Sequence, residues 1–241
     1  MLIASLVRRC SLSSTRTTHR TKQSSVLDHD NPRPHASAHF GATPTPSHRS
    51  KENSVLAITE LCRKSKPNQT AFSEAGGIPK LVSVLLGFSP GGTKDYSFIR
   101  LCTLVAEAIK EMAKGNQANQ DAIAEAGAIP PIVAMLGSTE PQMQSNAAAA
   151  IASLARAHFE NQGMVARTGA VAPLCTLVRD GSDEARDRSA SAIWSLATDH
   201  PFNKDTIAKL GGIDPLLGLL VTGTSDKSQE CVTGALSAGP L

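Results

Sequence analysis

The chain has 241 residues, a formal net charge of +3 and few aromatic side chains: one Trp, one Tyr and six Phe. So few rings argue for helices packed closely over small residues and against a bulky globular core. The charge is uneven, with seven Lys/Arg against two Asp in residues 1–50 and 17 against 19 in residues 51–241. The near-neutral body lacks the clustered cations that nucleic-acid binding needs, and no run approaches the roughly 18 apolar residues of a membrane span.

Residues 1–50 form a basic Ser/Thr/Pro-rich leader, expected to be disordered. Arg8, Arg9, Arg16, Arg20 and Lys22 precede the first acid, Asp28. Two readings stand: an organelle transit peptide, which such Arg-rich, acid-poor segments resemble, and a plain basic tail. Pro32, Pro34, Pro44 and Pro46 mark residues 28–50 as linker. His29, His35, His39 and His48 match no metal-ligand spacing there.

Ordered structure is expected from about Lys51. Val55, Ile58, Leu61 and Cys62 recur at helical spacing, which predicts an amphipathic helix over 51–64 that caps the rest of the chain. Beyond this helix the chain repeats. NQTAFSEAGGIP from Asn68, NQDAIAEAGAIP from Asn119, NQGMVARTGAVAP from Asn161 and NKDTIAKLGGIDP from Asn203 are versions of one phrase, spaced by 51, 42 and 42 residues. A period in the low forties indicates a helical solenoid.

Each Asn reads as the cap of a short helix. Gly76, Gly127, Gly169 and Gly211 suit the left-handed turn that ends it. Pro79, Pro130, Pro173 and Pro215 then fall in the first turn of a second helix, where a missing N–H costs little. A polar hinge and a longer third helix come next, expected over about 97–114, 142–156, 184–198 and 228–237. The units run over about 68–114, 119–156, 161–198 and 203–241. The hinge over 87–96 carries the extra nine residues of the first unit and reads as an exposed loop. Gly239 and Pro240 break the fourth third helix, an ending expected of a fragment or an aberrant terminus.

The pattern N-x(7)-G-[GA]-[IV]-x-P-L-V-x-L-L, then A-A-x-A-[IL]-x-x-L-A, resembles the armadillo repeat. It is carried by Gly127–Leu136 with Ala147–Ala155, and by Gly169–Val178 with Ala190–Ala197. The resemblance covers roughly residues 51–241. It implies an all-α fold, a right-handed α-α superhelix of about four three-helix repeats behind an N-terminal cap helix. It also implies protein–protein recognition in a concave groove lined by the third helices.

No catalytic constellation is present: no G-x-S-x-G, no H-E-x-x-H and no phosphate loop. Glu74 and Glu125 share a register with Arg167 and Lys209, a position free to drift. His158 and His200 sit in linkers and read as structural or solvated. Cys62, Cys102, Cys175 and Cys231 fall at apolar helical positions, and with Cys10 they form no CxxC. They read as small buried hydrophobes in a reducing compartment. The chain is therefore read as no enzyme, with no cofactor, metal or small-molecule substrate.

The expected groove residues are Glu107, Glu111, Lys114, Asn146, Ser153, Arg156, Arg188, Ser191, Trp194 and Ser195. The resemblance supplies a comparison, since the family's nuclear-import adaptors carry a Trp on each third helix and an Asn four residues later. The matching positions here hold Glu111, Ser153 and Ser195 in place of Asn, and Glu107, Ala149 and Ser191 in place of Trp. Trp194 lies one residue off that ladder and reads as packing at the groove edge or seam. The main expectation is a non-enzymatic scaffold that takes an extended peptide or helix of a partner protein. The alternatives are a nuclear-import-type cargo adaptor and a fragment of an armadillo-containing ubiquitin-ligase component. The expected location is cytoplasmic or nuclear, or a mitochondrion or plastid if residues 1–27 are a transit peptide.

Overall fold

The computed structural model describes residues 46–89, 91–92, 95–222 and 226–237. The leader readings on residues 1–45 and the ending over 238–241 lie outside them. The described residues form helices joined by turns, with no strand among them. A lone helix α1 (Pro46–Cys62) precedes four triplets. These are α2 (Lys66–Glu74), α3 (Gly77–Leu85) and α4 (Tyr96–Ala113); α5 (Gln117–Glu125), α6 (Ile129–Met135) and α7 (Pro141–Ala155); α8 (Phe159–Arg167), α9 (Val171–Asp180) and α10 (Asp183–Ala197); and α11 (Pro201–Lys209), α12 (Ile213–Thr222) and α13 (Asp226–Ser237).

Helix α1 begins at Pro46, ahead of the expected Lys51. Proline opens a helix as readily as it closes one, because first-turn N–H groups have no intrahelical partner. Gly76, Gly127, Gly169 and Gly211 do take the left-handed turn, with φ of 68°, 82°, 89° and 72°. A second left-handed row, just past the long helices, carried no glycine signal: Lys64, Ala157 and Asp199 sit at φ of 54–56° beside Gly115 at 65°. Between the second and third helices of the first unit, Phe88 packs onto the core, and Asp95 caps α4 by accepting from the Ser97 N–H at 2.9 Å.

The long helices α1, α4, α7, α10 and α13 pack each on the next in one layer. Central α7 has long neighbours on both sides, so even its polar Ser145 and Asn146 are buried along with Ala147–Ala150. Small alanines let the backbones approach closely. Larger residues, among them Ile109, Met112, Ile132, Met135, Ile151 and Leu154, are fully buried in the core. On α12 the apolar Ile213, Leu217, Leu220 and Val221 stay exposed.

The repeated Asn residues are not the caps they were expected to be. The N-caps lie three residues earlier. Asn116 Oδ1, His158 Nδ1 and His200 Nδ1 accept from the backbone N–H of Asn119, Asn161 and Asn203 at 3.2, 3.4 and 3.3 Å. The Asn side chains point inward instead. Their Nδ2 groups donate to the carbonyl seven residues back, on Leu61, Met112, Leu154 and Leu196, at 2.6–3.2 Å. Asn161 and Asn203 also donate to the backbone oxygens of Gln120 and Gln162, one unit earlier.

The Gln that follows the Asn in the first three units reaches the long helix ahead, and in the first unit also the one behind. Gln120 Nε2 donates to Ser153 and Arg156 carbonyls, Gln162 to Ser195 and Thr198, and Gln69 to Glu111 and Cys62. These oxygens lie at or just past the ends of long helices, where carbonyls have lost their intrahelical donors. In the first three units the Asn-Gln pair thus ties the first short helix to the long helix behind it and to the one ahead.

Candidate functional site

The stack of third helices exposes one stripe of side chains, and the expected groove residues divide along it. Glu107, Ser153, Arg188, Ser191 and Trp194 are half-buried, and Lys114 and Arg156 are exposed. Glu111, Asn146 and Ser195 are only 6%, 3% and 5% exposed. Each of these three is engaged internally. Asn146 Nδ2 donates to the Thr103 carbonyl on α4 at 3.1 Å, and its Oδ1 accepts from Gln142. Ser195 Oγ donates to the Ser191 carbonyl at 3.0 Å. Glu111 pairs with Lys110 Nζ at 3.2 Å. They hold the stripe in shape and do not present it. Helical spacing sets which residues share a face, but the depth at which neighbouring helices meet decides which of them reach solvent.

Charge on the stripe is largely self-paired at its first unit. Arg63, from the end of α1, contacts Glu60 at 3.0 Å, Glu107 at 3.4 Å and Glu111 at 3.6 Å. Lys110 joins Glu107 and Glu111. The hydrogen bond to Glu60, with Glu111 beside it, holds the Arg63 guanidinium further in its charged form. Further along, Arg188 pairs with Glu184 one turn back. The middle of the stripe is different. Arg156 lies over the Trp194 ring at 5.9 Å, a cation–π approach. A Cβ on Gly234 would fall 2.5 Å from the indole, so that glycine on α13 makes the space Trp194 fills. Trp194 is thus packed at the seam between α10 and α13, with one edge left to the stripe.

The Cys62, Cys102 and Cys175 thiols are buried. Desolvation pushes Cys62 up to about 11 and Cys102 up to about 12, and raises Cys175 as well. The side chain of Cys231 and all of Cys10 lie outside the described residues. No group of His, Cys, Asp and Glu able to hold a metal occurs among the described residues, and none of their helices is long and apolar enough to cross a membrane.

Residues 116–156 match the family model described as Armadillo/beta-catenin-like repeat. That segment covers α5, α6 and α7 from the cap Asn116 onward. The fold is that of an armadillo repeat array. Among solved structures, the array superposes on the designed armadillo repeat protein YIII(Dq)4CqI with a TM-score of 0.72 and 23% identity, over 81% of this chain and 79% of that one. Computationally designed armadillo repeat proteins for modular peptide recognition match with a TM-score of 0.69 and 26% identity, over 81% and 78% of the two chains. A third designed armadillo protein, solved in complex with the peptide (KR)4, matches at 0.69 and 22%, over 81% and 79%. No curated protein matches the chain by sequence.

Sequence reasoning passed over one further feature. An open pocket of about 350 Å³ lies between the short helices α8 and α11, away from the third-helix stripe. Phe159, Glu160, Gly163 and Arg167 on α8 line it with His200 and Phe202. Its signal was a single exchange within the period, Asp121 for Gly163.

Proposed function

We propose that this armadillo array is a non-enzymatic scaffold that binds an extended peptide of a partner protein along the stripe on α4, α7 and α10. The observation that carries this reading is the stripe itself. The third helices stack each on the next, and Ser153, Ser191 and Trp194 on them, with Lys114 and Arg156 just past their ends, keep part of their surface exposed. Repeat stacking makes such faces long and concave, which suits extended ligands. Similar designed arrays, by their names, recognise peptides.

The partner surface that fits is polar with an apolar element. Serines offer hydrogen bonds to a peptide backbone, and the Arg156–Trp194 pair offers a flat apolar edge beside a cation. The adaptor alternative has less support. The ladder register holds Glu111, Ser153 and Ser195, and two of those three are buried.

Selection of peptides from a displayed library on the full chain tests the proposal. Selected peptides are expected to lose about tenfold or more in affinity on the Ser153→Glu, Ser191→Glu double variant, since one desolvated, misplaced charge costs that much. Circular dichroism on the same variant checks that it is folded. Unchanged binding to the folded variant contradicts the proposal.

A further inference from the structure

The pocket between α8 and α11 has a counterpart one period earlier that shows what it lacks. There, His158 caps α8 through Nδ1, and its Nε2 lies 2.7 Å from Asp121 Oδ1. His200 repeats the first half of that arrangement, its Nδ1 accepting from the Asn203 N–H. An accepting Nδ1 leaves the proton of the neutral ring on Nε2, which is then a donor seeking an acceptor. The residue in Asp121's register is Gly163. No carboxylate stands there, and among the described residues His200 Nε2 has no hydrogen-bond partner. The ring is nonetheless only 5% exposed, held by stacking on Phe159 at 4.3 Å between centroids.

We propose that this pocket binds a carboxylate side chain of an acidic partner peptide, with His200 Nε2 and Arg167 as its donors. Both donors border the space a side chain at 163 would occupy. A Cβ built on Gly163 lies 3.4 Å from His200 Nε2 and 3.0 Å from an Arg167 guanidinium nitrogen. The ligand's carboxylate takes the place that Asp121 fills on His158. Phe159 and Phe202, 58% and 66% exposed, also line the pocket as apolar surface, so a residue beside the acid should be aliphatic. Glu160 on the rim repels a second acid, so a lone carboxylate among apolar neighbours fits better than an acidic run. The site is separate from the third-helix stripe and needs no partner there.

The probe is the blocked peptide acetyl-Leu-Asp-Leu-amide, titrated into isotopically labelled full-length protein while the His200 imidazole and Gly163 amide resonances are followed. Both resonances are expected to shift with the Asp peptide. Replacing its Asp by Asn should weaken binding by about tenfold, as loss of a charge-assisted hydrogen bond does. Arg167→Ala should weaken it comparably. Gly163→Asp restores the internal carboxylate and should abolish the response, while Gly163→Ala retains part of it. The proposal is overturned by no shift at His200 and Gly163, by equal binding of the Asp and Asn peptides, or by full binding by both Gly163→Asp and Arg167→Ala. Sodium acetate producing the same shifts at the same concentration also overturns it, because the site would then be an anion site without peptide recognition.

Discussion

The residue that does most here is the Asn that opens each repeated phrase, buried in the last three units. Asn161 satisfies two carbonyls at once, on Leu154 and Gln120, and is 2% exposed. Asn161→Ala removes both donors and leaves the oxygens in a dry site. We expect a loss of about 2–3 kcal/mol in urea unfolding. Asn68 donates to Leu61 alone, at an exposed edge; Asn68→Ala should cost only about 1 kcal/mol. Equal losses at the two positions would contradict a role in burial. The thiols supply a second test at this scale. Cys62 and Cys102 are raised from 9.0 to about 11 and about 12. The fold therefore favours the neutral thiol, and that contribution is complete below pH 9 and is lost as pH climbs from 9 through 11 to 12. In a Cys10→Ser, Cys231→Ser background, the remaining thiols should resist a disulfide reagent at about pH 8 until the chain is denatured. Rapid labelling of the folded protein would contradict their burial.

At the scale of elements, the punctuation of each unit was readable because it is local. A Gly in the left-handed turn and a Pro in the next first turn are fixed by backbone sterics within a few residues, so the third helices fall within about two residues of where the repeat predicted them. The Asn was misread for the complementary reason. A polar residue near a helix start looks like a cap when only its neighbours are considered, whereas its partners lie seven and 41 residues away. The recurrence of Asn-Gln in three units was the available signal, since a surface pair would have drifted as Glu125 and Arg167 did. The left-handed Lys64, Ala157 and Asp199 had no such signal, because three of the four turns tolerate a side chain there. That tolerance has a cost. Ala157 at φ 54° carries strain that Gly115 avoids, and Ala157→Gly should stabilise the chain by about 0.5–1 kcal/mol in the same urea assay. Destabilisation would mean that the turn is held by the Ala157 side chain and not in spite of it. Glu111, Asn146 and Ser195 lie too deep to reach solvent because α4, α7 and α10 are each packed on both sides, a depth that helical spacing alone does not carry.

Across the whole molecule, stability and working surface come from the same stack. Each Asn-Gln stitch holds two long helices at a fixed offset, and the offset repeated along the array makes the stripe continuous. Neighbour-to-neighbour construction makes a unit removable, provided the cut respects the period. Deleting residues 119–160 joins Ala118 to Asn161, so that Asn116 again precedes an Asn-Gln by three residues and Asn161 inherits the Met112 carbonyl. Circular dichroism and urea unfolding of this deletion, beside one of residues 119–156 that breaks the register, test this dependence most directly. The in-period deletion is expected to keep its helical signal per residue and to unfold cooperatively, while the out-of-period deletion loses both. Loss of structure in the in-period deletion, or equal behaviour of the two, would contradict the stitch as the source of the stack.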